Sequence, residues 1–175
     1  MYILETQRLR LRPITLEDSP FYLELVNDRD FIEHIGDRGI RTLEHARRAV
    51  AEGPAAMQEA RGHSLYMVEL REGAVPIGMC GLIKRDTLDD VDIGYAFLPR
   101  YRGHGYAFEA GRAVLDYAPT IGITRIAAIT SPNNIASNQL LLKLGLRFQH
   151  FTYLTPEDAG TNLYLCELPA HEKLV

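Results

Sequence analysis

The sequence predicts an α/β fold in which helices cover one mixed β-sheet. Strand-like segments with a hydrophobic period of two alternate along the chain with helix-like segments of period about 3.6. Three strand-like segments in the middle follow one another over short turns, and each helix of the second half lies between two strands. With 175 residues, we expect a single domain, 1–175, with about seven strands and about four helices in the order β-α-α-β-β-β-α-β-α-β-β.

The first third of the chain predicts one strand and then two helical regions. Arg8 to Arg12 alternates Arg with Leu, so we expect the leucines to face the core and the arginines to face water. A capping box at Thr15 begins a helix that continues to Asn27. A second helical region begins at Thr42, and Gly53-Pro54 interrupts it, which favours two short helices over one long helix.

The middle of the chain predicts an antiparallel meander of three strands. The strands are Ser64 to Leu70, Pro76 to Lys84, and Val91 to Leu98. The segments that join them, 71–74 and 85–90, are short and rich in residues that favour turns.

The last part of the chain predicts two strand-and-helix alternations followed by a final strand. A helix follows a glycine-rich segment at 102–105, and Pro119 ends it. A second helix ends before Gly145, a residue typical of helix C-caps. The remaining elements are strands Arg125 to Thr130, Phe148 to Leu154 and Leu163 to Leu168, and the helix Ser137 to Leu144.

Composition and charge limit the class of protein. Nineteen Lys and Arg stand against 23 Asp and Glu, a net charge of -4, which argues against broad nucleic-acid binding but leaves room for a local anion site. No segment approaches the roughly 20 apolar residues of a membrane span, and the N-terminus lacks the apolar run of a signal peptide. We therefore expect a cytoplasmic protein with no nucleic-acid or membrane partner, either a monomer or a homodimer.

The cysteines and histidines do not indicate a metal site. Cys80 and Cys166 lie in apolar, strand-like contexts without a Cys-x-x-Cys motif, so we expect two buried reduced thiols. The histidines show no spacing typical of metal ligands.

A glycine-rich turn at Arg102-Gly103-His104-Gly105-Tyr106-Ala107 predicts an anion site. A turn between a strand and a helix directs free backbone N–H groups and the positive end of the helix dipole at one point, which suits a phosphate. A P-loop is excluded by the missing Gly-Lys-Ser/Thr, and a dinucleotide fingerprint is excluded because Phe108 stands where its third glycine would be. A turn that only connects strand and helix remains the alternative.

These motifs resemble the GNAT superfamily of N-acetyltransferases. Residues 102–107 are similar to its Arg/Gln-x-x-Gly-x-Gly/Ala acetyl-CoA signature, although a register starting at Arg100 also fits. Residues 105–110, 92–95 and 134–139 resemble the Gly-Tyr-Ala-x-Glu-Ala, acid-Ile-Gly-Tyr and Asn-x-x-Ser-Asn motifs of the branch that acetylates the N-termini of ribosomal proteins. The resemblance covers the whole chain and its order of elements.

The resemblance implies a mostly antiparallel central sheet and direct acetyl transfer from acetyl-CoA to a primary amine, without an acyl-enzyme. The pantetheine arm would pair with the backbone near Phe97 and Leu98, and Gly94 is the expected site of a bulge on that strand. The amide of Asn134 would also hold this arm, unless Asn134 only caps a helix. The residues implied to bind acetyl-CoA are Phe97, Leu98, Arg102, Gly103, His104, Gly105, Tyr106, Ala107, Asn134 and Ser137.

Two residues are candidates for proton transfer. Many family members carry a tyrosine where this chain has Leu141, so Ser137 is the candidate donor to the CoA thiolate, with helix capping as the alternative. Asp92 is the candidate general base, with a solvent-facing strand position as the alternative. Tyr95 and Glu33 are further candidates for contact with the acceptor.

Two other function classes remain beside acetyl transfer. A non-catalytic module that binds acyl-CoA would keep the anion turn and dispense with the proton-transfer groups. Phosphoryl transfer is disfavoured because its lysine and metal-binding motifs are missing. The helices between Thr15 and Arg61 and the loop 155–162 are expected to form the acceptor site, whose ligand the sequence does not identify.

Overall fold

A computed structural model describes residues 1–170. It confirms the predicted mixed α/β fold, with one eight-stranded sheet in the order β1-β2-β3-β4-β5-β6-β8-β7. The strands are β1 (Leu4–Glu5), β2 (Leu9–Pro13), β3 (Leu65–Leu70), β4 (Pro76–Ile83), β5 (Val91–Phe97), β6 (Arg125–Thr130), β7 (Arg147–Thr152) and β8 (Thr161–Glu167). The α-helices are α1 (Ser19–Val26), α2 (Arg29–His34), α3 (Leu43–Val50), α4 (Ala56–Arg61), α5 (Tyr106–Tyr117) and α6 (Ile135–Lys143).

Two elements were not predicted. Strand β1 has only two residues, and Leu4 faces Leu11 of β2 across an antiparallel pair. Helix α2 has six residues and begins at the N-cap Asp28, whose carboxylate accepts a hydrogen bond from the N–H of Phe31 at 3.3 Å. Both elements are too short to show a hydrophobic period, so the pattern of the sequence does not indicate them.

The interruption at Gly53-Pro54 is a π-helical segment. Helices α3 and α4 are indeed short, but Ala51–Ala55 joins them and keeps the chain helical. Pro54 has no N–H for the regular α-helical bond, and the wider π turn accommodates this loss.

The order of the sheet confirms the predicted meander. Strands β2 to β5 pair antiparallel in chain order, and β6, β8 and β7 form a second antiparallel group. The two groups meet at β5 and β6, which run parallel and pair only at Val91 with Ile126 and Asp92 with Ala127. Beyond Asp92 the two strands separate, which leaves a wedge-shaped opening in the middle of the sheet.

The bulge predicted at Gly94 is wrong. Strands β4 and β5 pair residue for residue from Ile83 and Asp92 to Gly78 and Phe97. Gly94 instead allows close packing, because a Cβ there would lie 2.8 Å from the Cδ1 of Ile83. The opening therefore comes from the separation of β6, and β5 itself stays regular.

The sheet is covered on both faces. Leu9, Leu82 and Leu141 belong to the core that packs with α5 and α6 on one face. Met67 and Met79 pack with the helices of the first third on the other face. Within β4, Met79 and Leu82 thus serve opposite cores, as the period of two requires.

The arginines of β2 do not all face water as predicted. The guanidinium of Arg12 is largely buried and donates to Glu69 and Asp18, each at 2.8 Å. Burial alone would raise the pKa of Asp18, but hydrogen bonds from Arg12 and from the Thr15 N–H outweigh it and lower this pKa. The ion pair of Arg12 in β2 with Asp18 connects the start of the first helical region to the sheet.

Both cysteines are free thiols. Cys80 is buried and Cys166 is partly buried, and burial raises the pKa of Cys80 to about 12. No helix within residues 1–170 is both long and apolar enough to cross a membrane.

Candidate active site

The opening between β5 and β6 leads into a cavity of about 660 Å³. Residues of β5 and β6 line one side of it, together with Asn134 and Ser137 at the start of α6. Residues of α1, α2 and α4 and of the loop after β7 complete the lining. The sheet therefore brings Asp92, Asn134 and Ser137 to one cavity, although they come from different elements.

The backbone of β5 presents polar groups to this opening. The N–H of Leu98 donates to the carbonyl of Ile77 in β4 at 3.1 Å. Because backbone groups alternate in direction along a strand, those of Phe97 and Tyr95 point away from β4 and towards the opening. The N–H of Leu98 is thus occupied within the sheet, and Phe97 and Tyr95 offer the groups that an extended ligand could pair with.

Asn134 is the N-cap of α6. Its Oδ1 accepts a hydrogen bond from the N–H of Ser137 at 3.2 Å. Asn134 therefore caps the helix, and the Ser137 N–H is the group that it caps. Capping occupies the oxygen of the Asn134 amide, while its Nδ2 donates no hydrogen bond to any residue of 1–170, and Asn134 is part of the cavity lining.

The hydroxyl of Ser137 is paired with that of Tyr95. The two oxygens lie 2.7 Å apart, and either can donate the hydrogen. Burial raises the pKa of the Tyr95 phenol well above its ordinary value, although the hydrogen bond with Ser137 acts to lower it. Tyr95 therefore stays protonated at neutral pH and always has a hydrogen to share with Ser137.

Asp92 lies at the point where β5 and β6 separate. It is only 1% exposed, so the solvent-facing alternative is wrong. Its Oδ1 accepts from the Nε of Arg85 at 3.0 Å, while its Oδ2 has no hydrogen-bond partner. Burial raises the pKa of this carboxyl above the ordinary aspartate value, because desolvation outweighs the opposing charges of Arg85 and Lys84.

The glycine-rich turn follows the end of β5 and begins α5. Gly103 and Gly105 have positive φ angles of 76° and 80°, a conformation that residues with a Cβ rarely adopt. Gly105 is the N-cap, and the first N–H that bonds back to it belongs to Glu109 at 3.0 Å. The N–H groups of Tyr106, Ala107 and Phe108 precede that bond and are directed out of the helix end, as an anion site requires.

Arg8 contacts this turn from the start of the chain, and it is exposed, as the sequence pattern predicts. Its guanidinium donates to the carbonyl of His104 at 2.9 Å and to Glu109 at 2.7 Å. It also lies 4.6 Å from the ring centre of Tyr106. The only signal in the sequence was a strand with three alternating arginines, which does not indicate what each of them contacts.

Arg102 is turned towards α2. Its guanidinium pairs with Asp28 at 2.7 Å, and also with Asp30. Its Nε donates to the carbonyl of Phe97 at 2.9 Å. The carboxylates of α2 thus neutralise Arg102, and Arg8 is the arginine whose guanidinium contacts the turn itself.

The acceptor side of the cavity differs in detail from the expectation. Glu33 is exposed and is not part of the lining, whereas its neighbour His34 is. Tyr22, Arg38 and Met57 line the same side. Within residues 1–170 no three His, Cys, Asp or Glu side chains come together as metal ligands do.

The sequence profile described as "Acetyltransferase (GNAT) domain" matches residues 8–147. The chain therefore belongs to the GNAT acetyltransferase family. Among its relatives is the uncharacterized N-acetyltransferase YoaA of Bacillus subtilis (strain 168), which is 30% identical over 168 residues, 93% of this chain and 94% of the relative.

Solved structures share the fold. RimL, described as a ribosomal L7/L12 alpha-N-protein acetyltransferase in complex with coenzyme A, superposes with a TM-score of 0.83 at 17% identity, over 98% of this chain and 100% of the other. A GNAT-family acetyltransferase from Bacillus anthracis has a TM-score of 0.78 at 24% identity, over 95% of this chain and 98% of the other. At these sequence identities, the structural likeness shows a shared fold and nothing further.

Proposed function

We propose that this protein is an acetyl-CoA-dependent N-acetyltransferase that transfers the acetyl group directly to a primary amine. The observation that carries the proposal is the opening between β5 and β6, which brings a buried carboxylate and a paired hydroxyl to one cavity beside outward-facing strand backbone. RimL, which has the same fold, is described in complex with coenzyme A. The acceptor is a small molecule or a protein N-terminus, and we infer a cytoplasmic protein.

The cavity and the turn fit acetyl-CoA. The N–H groups that begin α5, with Gly103, His104, Gly105, Tyr106 and Ala107, would hold the pyrophosphate. The carbonyl of Phe97, which can accept a second hydrogen bond beside the one from Arg102, would hold the amides of the pantetheine arm together with the backbone of Tyr95 and the Nδ2 of Asn134. When bound, acetyl-CoA supplies an acetyl group activated as a thioester.

Asp92 is the proposed general base. A primary amine attacks only in its neutral form, and a lysine-like amine with a reference pKa of about 10.4 is mostly protonated at neutral pH. The unpartnered Oδ2 of Asp92 offers an acceptor for that proton. Its raised pKa makes it a stronger base than an exposed aspartate.

Ser137 is the proposed donor to the departing thiolate. Its hydroxyl can direct its hydrogen to the sulfur while it accepts a hydrogen bond from Tyr95, which stays protonated and whose oxygen lies 2.7 Å away. Leu141 cannot serve, since it has no polar group and is 1% exposed in the core. The N–H of Phe97 faces the opening, where it would stabilise negative charge on the carbonyl oxygen.

The competing proposal is a non-catalytic module that binds acyl-CoA. A panel of amines incubated with acetyl-CoA and the protein, with free thiol as the readout, separates the two. We expect thiol release that depends on both protein and amine, and that falls in the matched Asp92→Asn variant. Tight binding of acetyl-CoA without amine-dependent thiol release would favour the module.

A further inference from the structure

Two buried polar atoms in the cavity have no hydrogen-bond partner among residues 1–170. They are the Nδ1 of His34 and the Oδ2 of Asp92, and both residues line the cavity. Buried polar atoms of folded proteins are nearly always hydrogen-bonded. These two atoms therefore mark positions where a ligand would complete the structure.

His34 is fixed at the acceptor side of the cavity. It ends α2, and its carbonyl accepts a hydrogen bond from the Oγ of Ser131 at 3.0 Å. Ser131 directly follows β6, so this bond ties the end of α2 to the edge of the opening. The backbone of His34 is thus fixed beside the opening, and His34 lines the same cavity as Asp92.

Arg38 adds a positive charge to the same side. It lines the cavity, and its guanidinium has no hydrogen bond or ion pair to any residue within 1–170. The other arginine of the lining, Arg85, is neutralised by Asp92 at 3.0 Å. Arg41, close by in the chain, is likewise neutralised by Asp37 at 2.6 Å. Among the arginines of the cavity lining within residues 1–170, Arg38 is therefore the one without an ion pair and can bind an anionic ligand.

We propose that the acceptor is a primary amine whose molecule also carries a carboxylate on an apolar body. The amine would meet Asp92, and the carboxylate would meet Arg38 and His34, because guanidinium and carboxylate form strong charge-assisted hydrogen bonds. Tyr22, Phe31 and Met57 also line the cavity and would contact the apolar body. This inference rests on the proposed acetyl transfer.

Glu157 limits the orientation of such an acceptor. It lies on the loop after β7, lines the cavity and forms no ion pair with Arg38. A carboxylate near Glu157 would be repelled, whereas one near Arg38 would be attracted. The two charges together favour a single direction of binding.

The test compares acceptors with and without the carboxylate. One set is L-methionine, L-methioninamide and 3-(methylthio)propylamine. A second set, the amidated dipeptides Met-Glu and Met-Gln, asks whether the carboxylate belongs to a free amino acid or to a peptide. With the wild-type protein and saturating acetyl-CoA, we expect kcat/KM for a carboxylate-bearing member to exceed that of its neutral partner by at least about tenfold.

The variant Arg38→Gln tests the residue. We expect it to lower kcat/KM for the carboxylate-bearing acceptor by about 10- to 100-fold, mostly through KM, and to leave the neutral partner unchanged. Because the same acceptors are compared on two proteins, differences in amine reactivity cancel. Arg29→Gln is the matched control, since Arg29 is an exposed arginine of α2 outside the cavity lining, and we expect it to behave as the wild type.

A second readout separates this inference from the proposed function. Thermal stabilisation by N-acetylmethionine and by its amide, with coenzyme A present, reports binding without turnover. Preference for the acid that disappears in Arg38→Gln supports the inference even if no amine is acetylated. Equal use of acid and neutral acceptors by the wild type, or an Arg38→Gln variant with the wild-type preference, would overturn it and leave the acetyl transfer standing.

Discussion

The phenol oxygen of Tyr95 lies 2.7 Å from the Oγ of Ser137 and joins β5 to α6 at the opening of the sheet. The two residues are 42 positions apart in the chain. Their contact turns an isolated serine into one end of a two-hydroxyl chain. The Ser137 hydroxyl can then donate towards the cavity while accepting from Tyr95.

Removing either hydroxyl should slow the chemical step. We expect Ser137→Ala to lower kcat by about 100-fold, as for loss of a general acid, and Tyr95→Phe to lower it less. The double variant should be no slower than Ser137→Ala, because the two groups act as one unit. Single-turnover kinetics with a verified acceptor make the measurement. Variants that lose melting temperature but keep the wild-type rate would reduce the pair to a structural role.

Asp92 should set the pH dependence of activity. As a base it works only when ionised, and its pKa is raised by burial. We therefore expect kcat/KM to rise with pH through a midpoint above the ordinary aspartate value of about 3.9. Asp92→Asn should lower kcat/KM by about 100-fold or more and abolish that midpoint. An unchanged pH profile in the variant would remove Asp92 from the mechanism.

The same carboxyl should affect stability with a defined sign. Because its folded pKa is higher than its unfolded pKa, the folded state binds more protons between the two values, and stability falls as pH rises through that window. We expect wild-type unfolding free energy to decline across this window relative to Asp92→Asn, in which Asn can still accept from Arg85. Parallel curves for the two proteins in denaturant titrations at several pH values would contradict the raised pKa.

Gly105→Val should block the anion turn. Gly105 has a φ of 80°, and an added Cβ would lie 3.4 Å from the Nη2 of Arg8. Gly122→Val is the matched control, since Gly122 has a φ of 85° with nothing within 4 Å of the added Cβ. Both variants should lose about 1–3 kcal/mol of stability through backbone strain. Only Gly105→Val should lose affinity for acetyl-CoA, measured by calorimetry. Equal acetyl-CoA affinities for the two variants would show that the turn at Gly105 does not bind acetyl-CoA.

Arg8 and Arg102 should differ in their effect on acetyl-CoA. Arg8 contacts the turn and pairs with one carboxylate, that of Glu109, whereas Arg102 pairs with two, those of Asp28 and Asp30. We expect Arg8→Ala to weaken acetyl-CoA binding by about 1–3 kcal/mol, in a salt-sensitive way, and Arg102→Ala to weaken it less. Arg10→Ala, two positions further along the chain and in β2, is the control. Binding titrations in which Arg102→Ala has the larger effect would show that Arg102 leaves its carboxylates for the ligand.

Long periodic elements could be predicted from the sequence, and short ones could not. Strand β6 was predicted with its observed bounds, Arg125–Thr130, and the meander of β3 to β5 is confirmed. Each carries enough alternating positions to show its period. Strand β1 forms because it pairs with β2, and α2 begins at the N-cap Asp28. Neither cause is visible in a hydrophobic pattern of the sequence.

The sequence predicts those candidate site residues that lie in local motifs. The turn 102–107, Asp92 and Ser137 stand in recognisable runs of residues. The roles of Arg8, Tyr95 and Arg38 depend on contacts between distant segments, such as that of Arg8 with His104, 96 positions away. The orientation of Arg102 has the same origin, since its carboxylate partners belong to a helix that the sequence did not predict.

The central claim is that this chain transfers an acetyl group from acetyl-CoA to an amine. Mass spectrometry of the acceptor after incubation with protein and acetyl-CoA, with free thiol measured in parallel, tests it most directly. We expect one acetyl group gained per thiol released with the wild-type protein, and a large loss of both with Asp92→Asn. Acetyl-CoA binding with no acetylated product from any amine of the panel would contradict the claim.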